Sequence, residues 1–253
     1  MSEPDPRAYV PAPGALEDRV ILVTGASGGI GAELARSCAA LGARVVLSGR
    51  NVKKLEAVYD SIRTAGGVRP SIAPLDLERA DASHYATLVD AVRGEFGRLD
   101  GLAHVAGQLG ERAPIEYHDV VAWMRVMHVN VNAAFILTQA LLPLLKLSQD
   151  ASVVFTTSGV SQRARAYWGA YAASKFALEG LMQVLADETD TLTNIRANSV
   201  NPGRVRTAMR ARAYPGEDAG SAPLPSQVMP TYLYLLASAS CGVTGGRFDA
   251  QQP

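Results

Sequence analysis

The sequence RVILVTGASGGIG, residues 19–31, decides the fold of this chain. Residues 19–24 are a short, mostly apolar run, rich in β-branched side chains and of strand length. A helical pattern begins directly after the glycines, and Gly42 is placed to end it. The apolar stripe of that helix consists of Ile30, Leu34, Cys38 and Leu41. The segment therefore predicts a strand, a glycine-rich turn and a helix in succession.

This arrangement predicts an anion-binding turn. At the start of a helix, backbone N–H groups and the helix dipole point toward a pyrophosphate, and glycines leave room for its approach. The spacing here is G-x3-G-x-G, a variant of the G-x-G-x-x-G fingerprint of dinucleotide sites. The residues predicted to hold a nucleotide are Gly25, Ser27, Gly28, Gly29, Ile30 and Gly31.

Arg50 bears on which dinucleotide is bound. An NAD site usually has an acidic residue about twenty positions beyond the glycines, which accepts hydrogen bonds from the ribose 2′-hydroxyl. Here the second predicted strand, 43–48, runs into Ser-Gly-Arg-Asn at residues 48–51. The Arg50 guanidinium would meet a 2′-phosphate through charge-assisted hydrogen bonds. We expect NADP(H) rather than NAD(H). If Arg50 is only an exposed residue at the start of a helix, the alternative of an NAD-dependent alcohol dehydrogenase remains.

Tyr171 and Lys175 carry the predicted chemistry. They stand four residues apart in YAASK, so a helix projects both side chains from one face. A free tyrosine has a pKa near ~10, too high for ready proton exchange at neutral pH. An ammonium about 5 Å away, at an effective dielectric of about 20, favours the phenolate by about 3 kcal/mol, or about two pKa units. We therefore expect Lys175 to lower the pKa of Tyr171, making the phenol a general acid or base.

Composition and charge set the class of protein. The chain has 253 residues, with 24 basic and 24 acidic side chains, and strand-like and helix-like stretches alternate. This predicts one α/β domain with parallel strands and helices on both faces. Zero formal net charge gives no electrostatic basis for binding nucleic acid or anionic membranes. The two cysteines, Cys38 and Cys241, form no C-x-x-C motif, which fits a reduced, cytoplasmic setting, and Cys38 is expected in the core.

The N-terminal segment, the most apolar run and the histidines each allow a further prediction. Residues 1–18 are rich in proline and acidic groups and lack the apolar core of a signal peptide, which predicts a flexible or surface-docked tail. The apolar run 133–145 is too short to cross a bilayer and is expected to pack on the sheet within a helix over about 117–147. We expect no bound metal, because no metal-ligand spacing relates His84, His104, His118 and His128.

The chain resembles the short-chain dehydrogenase/reductase family from about Arg19 to Asp249. The matching features are the glycine-rich turn, Asn130, and the spacing Ser-x12-Tyr-x3-Lys that begins at Ser158. Similarity to the YciK-type oxidoreductases within the family comes from residues 168–176, 206–210 and 248–251. The resemblance implies a single-domain Rossmann fold over 19–253. Its sheet would be doubly wound, mostly parallel and seven-stranded, with helices on both faces.

The resemblance also implies roles for individual residues. Tyr171 would give or take the substrate proton, and Lys175 would bind the nicotinamide ribose, so both would also contact the cofactor. Ser158 would donate a hydrogen bond to the substrate carbonyl oxygen as negative charge develops there. Asn130 would hold a water that links the lysine to solvent. The further cofactor contacts implied are Asp76 and Leu77 near the adenine, and Ala106, Gly107, Pro202, Gly203 and Thr207.

Two departures from the family pattern lie near the site. The family's N-N-A-G after the fourth strand is replaced by HVAG at 104–107, so either His104 substitutes for the asparagine amides or the sheet is held differently. The family's D-G-G near the C-terminus is replaced by FDAQ at 248–251. That end often lines the substrate side or a subunit contact in the family.

The substrate end is predicted from the family's lid and from nearby side chains. Residues 204–225 would form a mobile lid over the substrate. The residues expected at the rim of the pocket are Arg163, Arg165, Tyr167 and Trp168. The aromatic pair favours an apolar or ring-bearing carbonyl compound, whereas the arginines favour a carboxylate or phosphate, and the sequence leaves both open.

These observations predict an NADP(H)-dependent oxidoreductase that acts on a carbonyl or secondary alcohol. The residues expected to carry the reaction are Ser158, Tyr171, Lys175 and Asn130. A dinucleotide-binding sensor or interaction module with little turnover is the alternative from another class, because of the two departures. In the family, the helix of the apolar run and the helix with the tyrosine commonly form a dimer interface. A homodimer or homotetramer acting on a small molecule is therefore implied.

Overall fold

The computed structural model describes residues 5–190 and 193–252, and its centre is one sheet. The strands are β1 (Val20–Thr24), β2 (Arg44–Gly49), β3 (Ser71–Pro74), β4 (Gly101–His104), β5 (Ala151–Thr156), β6 (Ile195–Asn201) and β7 (Arg247–Asp249). Their order across the sheet is β3-β2-β1-β4-β5-β6-β7. Within the described chain every pairing is parallel, so the sheet is fully rather than mostly parallel.

Helices cover both faces of the sheet, as predicted. They are α1 (Gly29–Ala40), α2 (Val52–Thr64), α3 (Ala82–Phe96), α4 (Val120–Met127), α5 (Ala133–Leu145), α6 (Gly169–Asp190), α7 (Ala208–Ala213) and α8 (Met229–Leu236). One core packs α1, α2 and α8 against the sheet, and a second core packs α3, α5 and α6 against the opposite face. Strands covered on both faces read as continuous apolar runs, and β1 is buried at every position.

The order of the strands places a crevice beside β1. The chain moves outward from β1 through β2 to β3, and then returns to place β4 on the other side of β1. Connections that leave two neighbouring strands in opposite directions open a crevice at their carboxyl ends, where α/β proteins bind ligands. The glycine-rich turn lies there, because it joins the end of β1 to the start of α1.

Residues 5–18 dock on the body of the protein. The Tyr9 ring packs edge-on against Tyr234 of α8, with ring centroids 5.5 Å apart. Leu16 is completely buried, and its N–H donates to the Leu41 carbonyl at 3.1 Å. The surface-docked form of the predicted tail therefore describes this segment, whose Leu16 belongs to the core. The rest of the predicted tail, residues 1–4, lies outside the described residues.

The predicted long helix forms as one continuous helix, but its backbone hydrogen-bond pattern changes in the middle. A π-helical segment, His128–Asn132, joins α4 to α5, and the whole helix runs from Val120 to Leu145. In the described part of the chain this one complete helix, unlike the run 133–145 by itself, is long and apolar enough to cross a membrane. Core helices of soluble proteins pass the same test. Here packing accounts for the apolar residues of α5, because more than half of them are buried against the sheet.

The cysteines and histidines form no constellation in the described residues. Cys38 lies in the core as predicted, Cys241 is exposed, and neither is bridged. In the parts of the chain that the structure describes, no three His, Cys, Asp or Glu side chains come together as metal ligands.

Candidate active site

A cleft of about 430 Å³ lies at the carboxyl ends of the central strands. It brings together almost every residue predicted for the site. Its lining includes Gly25, Ser27, Gly28, Gly29, Ile30, Gly31, Arg50, Asp76, Leu77, Ala106, Gly107, Ser158, Tyr171, Lys175, Pro202, Gly203 and Thr207. Asn130 is the exception, since it is buried just behind the lining. One continuous cleft thus joins the glycine-rich turn to the tyrosine and lysine.

The glycine-rich turn has the shape that a pyrophosphate needs. Helix α1 begins without a side-chain cap, so its first N–H groups remain available to a ligand. A Cβ on Gly28 would have no protein atom within 4 Å, which shows open space beside the turn. A Cβ on Gly31 would collide with the Gly25 carbonyl oxygen. Only glycine therefore lets the helix start this close to the strand, and the turn fits a bound phosphate group.

Thr24 holds the segment after β4 in place. Its hydroxyl accepts hydrogen bonds from the N–H groups of Val105 at 3.0 Å and Ala106 at 3.1 Å, and donates to the Ala103 carbonyl at 3.3 Å. The side chain is buried. The threonine at the end of β1 therefore fixes the backbone that contributes Ala106 and Gly107 to the cleft.

His104 ties the sheet to α5. Its Nε2 lies 2.8 Å from the Thr138 hydroxyl, which itself donates to the Ala134 carbonyl at 2.8 Å, so His104 supplies the proton of the first bond. The ring stacks on Phe155 with centroids 4.9 Å apart. Burial, assisted by the charge of Lys175, lowers the pKa of His104 to about 3, so the ring is neutral. His104 and Thr24 thus fasten the end of β4 and the segment that follows it.

Charged groups cluster at the end of the cleft near Arg50. The Arg50 side chain is 65% exposed, and its Nη1 lies 3.8 Å from Oε2 of Glu78. Glu78 also accepts a hydrogen bond from Gln108 Nε2 at 2.9 Å and pairs with Arg125 at 3.0 Å. Arg50 is therefore held only loosely and stays accessible. Lys54, which also lines the cleft, was not predicted, although its place one turn into the helix after Arg50 is a usable signal.

Ser158, Tyr171 and Lys175 meet at the opposite end of the cleft. Ser158 follows β5 directly and precedes a 3-10 turn, while Tyr171 and Lys175 lie on one face of α6, as the spacing predicts. The buried Lys175 Nζ donates to the Thr156 carbonyl at 2.8 Å. It lies 5.6 Å from the centroid of the Tyr171 ring. Helix α6 thus presents a phenol and an ammonium beside the serine hydroxyl.

Burial reverses the expected shift of the tyrosine. It raises the pKa of Tyr171 to about 12, while the hydrogen bond with Ser158 acts in the other direction without cancelling the effect of burial. Burial also lowers the pKa of Lys175 to about 8, with Glu179 opposing that change. The prediction that Lys175 lowers the pKa of Tyr171 by about two units is therefore wrong for this structure. The four-residue spacing predicts how close Tyr171 and Lys175 lie, but it does not predict how far burial removes the two side chains from water.

Glu179, which the sequence did not single out, lies one helical turn beyond Lys175 and is buried. Its carboxylate accepts hydrogen bonds from the hydroxyls of Ser161 at 3.0 Å and Ser199 at 2.7 Å. The Ser161 hydroxyl also lies 2.7 Å from the Ser158 carbonyl. Glu179 thereby connects the turn that follows Ser158 to the helix that carries Lys175.

Asn130 lies in the π-helical segment between α4 and α5. Its side-chain Oδ1 accepts from the Gln108 N–H at 2.7 Å, and its Nδ2 donates to the Gln108 carbonyl and the Ser174 hydroxyl, both at 2.9 Å. The amide is thus fully used in fastening the segment after Gly107 to α6. Single π-turns within helices are frequent at functional sites.

The C-terminal residues fasten the loop that follows β6. Gln251 Nε2 donates to the carbonyls of Pro202 at 2.6 Å and Arg204 at 2.7 Å, and Asp249 accepts from Asn201 at 2.7 Å. Gly203 has a φ of +70°, and a Cβ there would lie 2.8 Å from Gln251 Nε2. The FDAQ ending thus supports the Pro202–Gly203 wall of the cleft from behind.

The predicted lid is a folded segment that contains α7. Arg210 forms a two-pronged ion pair with Glu217, with N–O distances of 2.6 and 2.7 Å, and Tyr214 lines the cleft. Trp168 also lines the cleft, with its ring centroid 5.8 Å from that of Tyr171. The other predicted rim residues are exposed and lie outside the lining: Arg163, Arg165 and Tyr167.

Known proteins are similar to this chain in sequence and fold. The model of the short chain dehydrogenase family matches residues 19–218. The uncharacterized oxidoreductase YciK of Escherichia coli K12 is 49% identical over 243 residues, which cover 96% of each chain. The structure of a short chain dehydrogenase from Pseudomonas syringae is 54% identical with a TM-score of 0.95, covering 96% of this chain and 98% of that one. A short chain dehydrogenase from Escherichia coli CFT073, complexed with NADPH, is 49% identical with a TM-score of 0.92, covering 96% of this chain and 100% of that one.

Proposed function

Because the chain belongs to the short-chain dehydrogenase/reductase family and is an NAD(P)-dependent oxidoreductase, we propose that its cleft catalyses hydride transfer between NADP(H) and a carbonyl or secondary alcohol substrate. The observation that carries the proposal is the convergence of Ser158, Tyr171 and Lys175 in the same cleft as the glycine-rich turn. A bound nicotinamide supplies the hydride. The chain's own residues orient both molecules and move the proton.

Ser158 and Tyr171 act on the substrate oxygen in this proposal. The Ser158 hydroxyl donates a hydrogen bond to the carbonyl oxygen, where negative charge develops during reduction. The Tyr171 phenol is protonated at neutral pH, since its pKa is raised to about 12 by burial, and it therefore starts as the proton donor. In the oxidative direction Tyr171 must first lose its proton, and the phenolate then takes the proton of the alcohol while Ser158 keeps its hydrogen bond to the substrate oxygen.

Lys175 and Asn130 act behind the tyrosine. The Lys175 ammonium, 5.6 Å from the centre of the Tyr171 ring, stabilises negative charge on the phenol oxygen once the proton has left. It also offers N–H donors to the cofactor ribose. Because the Asn130 side chain is used by Gln108 and Ser174, its contribution to a water-filled proton path comes from the main chain of the π-helical segment.

The remaining predicted contacts hold the cofactor along the cleft. The glycine-rich turn binds the pyrophosphate at the start of α1. Asp76 and Leu77 would hold the adenine, and Ala106 and Gly107 would leave room for the cofactor beside β4. Pro202, Gly203 and Thr207 would contact the nicotinamide.

Arg50 and Lys54 favour NADP(H) over NAD(H). Both line the end of the cleft where a ribose 2′-phosphate belongs, and Arg50 is largely exposed. Support also comes from two similar structures, the Escherichia coli CFT073 protein complexed with NADPH and a Shigella flexneri protein complexed with NADP, which is 48% identical. A carboxylate at this place would favour NAD by accepting hydrogen bonds from the ribose 2′-hydroxyl. Glu78 does not do so in this proposal, because its carboxylate already binds Gln108 and Arg125.

The choice of cofactor is tested by titrating NADPH and NADH side by side through cofactor fluorescence. We expect NADPH to bind at least about tenfold more tightly, because charge-assisted bonds to a phosphate each contribute about 1.5–3 kcal/mol. Arg50→Ala should remove most of that preference. Arg44→Ala, at the other end of β2, is the matched control and should leave it intact. An unchanged preference in Arg50→Ala would refute this role.

The mechanism is tested by Tyr171→Phe. We expect turnover of a carbonyl substrate panel with NADPH to fall at least about a thousandfold, because the proton donor is lost, while NADPH affinity stays within about threefold. Tyr167→Phe makes the same chemical change on an exposed tyrosine and should leave turnover unchanged. Activity of Tyr171→Phe within tenfold of the wild type would exclude the mechanism. Tight NADPH binding without any turnover by the wild type would favour the sensor alternative.

The proposal also concerns partners and location. We place the reaction in the cytoplasm, on a small-molecule substrate, in a homodimer or homotetramer. The exposed apolar residues on α4, α5 and α6 support association between copies: Val120, Val121, Met124, Phe135, Phe176 and Val184.

A further inference from the structure

The substrate side of the cleft has an aromatic wall. The Trp168 ring centroid lies 5.8 Å from that of Tyr171 and 5.8 Å from that of Tyr214. Met209 and Ala213 line the cleft beside them. A substrate whose carbonyl reaches Tyr171 must therefore lay its adjoining atoms against Trp168 and Tyr214. This wall suits an apolar stretch of the substrate.

Three of the four arginines of the lid are occupied by partners within the lid. Arg210 makes its two-pronged pair with Glu217, and Arg204 lies 3.7 Å from the same carboxylate. Arg206 donates to the carbonyls of Ala222 at 3.3 Å and Gly220 at 3.1 Å. These three cations are therefore not the ones best placed to receive a substrate.

Arg112, in the loop after β4, differs from them. Its guanidinium carbon lies 5.7 Å from the Trp168 ring centroid and 5.6 Å from the Tyr214 ring centroid. Among residues 5–190 and 193–252 it takes part in no ion pair or side-chain hydrogen bond, and it is exposed at the edge of the cleft, beside the lining residues Trp168 and Tyr214 but outside the lining itself. The Trp168 ring is thus the main aromatic neighbour of this guanidinium, because Arg210 lies closer to the Tyr214 ring, at 3.8 Å from its centroid. The N–H groups on the edge of Arg112 keep their hydrogen-bonding capacity.

We propose that Arg112 anchors an anionic group of the substrate, so that the enzyme acts on carbonyl or hydroxy compounds that also carry a carboxylate or a phosphate. This inference rests on the proposed function, because it takes the reacting carbon to lie at Tyr171. Trp168 is the common neighbour of both, with its ring centroid 5.8 Å from that of Tyr171 and 5.7 Å from the Arg112 guanidinium carbon. An apolar part of the substrate that lies on Trp168 would therefore join the reacting carbon to the charged group.

This arrangement combines the two substrate types that the sequence left open. The aromatic rings contact the apolar middle of the molecule and also position Arg112. A planar guanidinium suits carboxylate and phosphate oxygens because it offers parallel N–H donors. A neutral substrate of the same shape would leave the cation without a partner.

The test is calorimetric titration of the NADP⁺-bound protein with hexanoate, monobutyl phosphate and hexanamide, the last being neutral and of hexanoate's shape. We expect at least one of the two anions to bind about tenfold or more tightly than hexanamide. The stronger of the two identifies the charged group. Arg112→Gln should reduce that anion to the affinity of hexanamide, and Arg112→Lys should retain part of the preference. Arg165→Gln, at an exposed arginine near Trp168, is the control.

Equal binding of anions and hexanamide by the wild type would overturn the inference. The inference would also be overturned if Arg112→Gln weakened the binding of charged and neutral probes equally, since Arg112 would then only fasten the lid. Thermal unfolding and NADPH titration establish that each variant is folded, and Arg112→Lys gives a second measurement if Arg112→Gln is not. If the protein bound no NADPH, the proposed function would fail, while titration without cofactor would still test Arg112.

Discussion

At the scale of single residues, the hydroxyl of Thr24 shows how a site is held by a group that never touches the reaction. It lies at the end of β1 and satisfies two backbone N–H groups of the segment after β4. That segment supplies Ala106 and Gly107 to the cleft. A buried N–H without an acceptor costs about 1–3 kcal/mol, so one hydroxyl has a large effect on this backbone.

Thr24→Val is predicted to destabilise the protein by about 2–4 kcal/mol, because the two buried N–H groups lose their acceptor while the shape of the side chain is kept. Urea unfolding measures the loss. Thr24→Ser retains the hydroxyl and should cost much less. A Thr24→Val variant as stable as Thr24→Ser would show that the Val105 and Ala106 N–H groups find other acceptors.

At the scale of elements, helix α6 organises the chemistry. It carries Tyr171, Lys175 and Glu179 at successive turns. Its buried carboxylate is hydrogen-bonded through Ser161 to the turn that follows Ser158. Its charge favours the ammonium of Lys175 one turn away, and the Ser161 hydroxyl lies between it and the backbone carbonyl of Ser158. Glu179 is a positioning residue, because it acts on the reaction through these two neighbours.

The pH dependence of the reaction should report on Glu179. Burial lowers the pKa of Lys175 to about 8, and the charge of Glu179 opposes this. Besides Glu179, the titratable groups beside the lysine are Tyr171 on α6 and the neutral His104 on β4. Arg247 on β7 lies 3.5 Å from the Glu179 carboxylate. As the pH rises above the pKa of Lys175, its positive charge is lost, and turnover should fall.

Glu179→Gln is predicted to move this alkaline fall in kcat/KM to lower pH, because removing a negative charge disfavours the ammonium. Activity at pH ~8.5 should drop about threefold or more relative to activity at pH ~6.5, beyond any drop in the wild type. Glu179→Asp, which keeps the charge, should restore the profile, and the exposed Glu188→Gln should not change it. A uniform loss at all pH values would mean that Glu179 acts only by packing.

The elements also show what the sequence could and could not predict. Local patterns sufficed for β1, the glycine-rich turn and α1, since a continuous apolar run, glycine spacing and a helical apolar stripe are properties of neighbouring residues. The π-helical segment around Asn130 was not predicted, because it depends on hydrogen-bond register within a longer helix. The ties made by Thr24, Glu179 and Gln251 join residues far apart in sequence. The rise in the pKa of Tyr171 depends on burial, which no spacing contains.

At the scale of the whole molecule, the side of the sheet that carries α4, α5 and α6 keeps apolar residues at its surface. Val121 is 64% exposed, Met124 64% and Val184 55%. Contiguous exposed apolar surface marks sites of association more often than it marks free surface. Because α6 also carries Tyr171 and Lys175, a partner copy packed on this face would restrain the helix that positions them.

A dimer or larger assembly is therefore predicted, with this face at the contact. Analytical ultracentrifugation of the wild type should show no major monomer at micromolar concentrations. Val121→Glu combined with Val184→Glu should shift the protein toward monomer, because burying the two new charges is costly. Val10→Glu, at a residue that is 85% exposed on the N-terminal segment, adds charge elsewhere and should leave the assembly intact. A monomeric wild type would contradict the prediction. An unchanged assembly in the double variant would place the contact on another face and leave the apolar residues of α4 and α6 as ordinary surface.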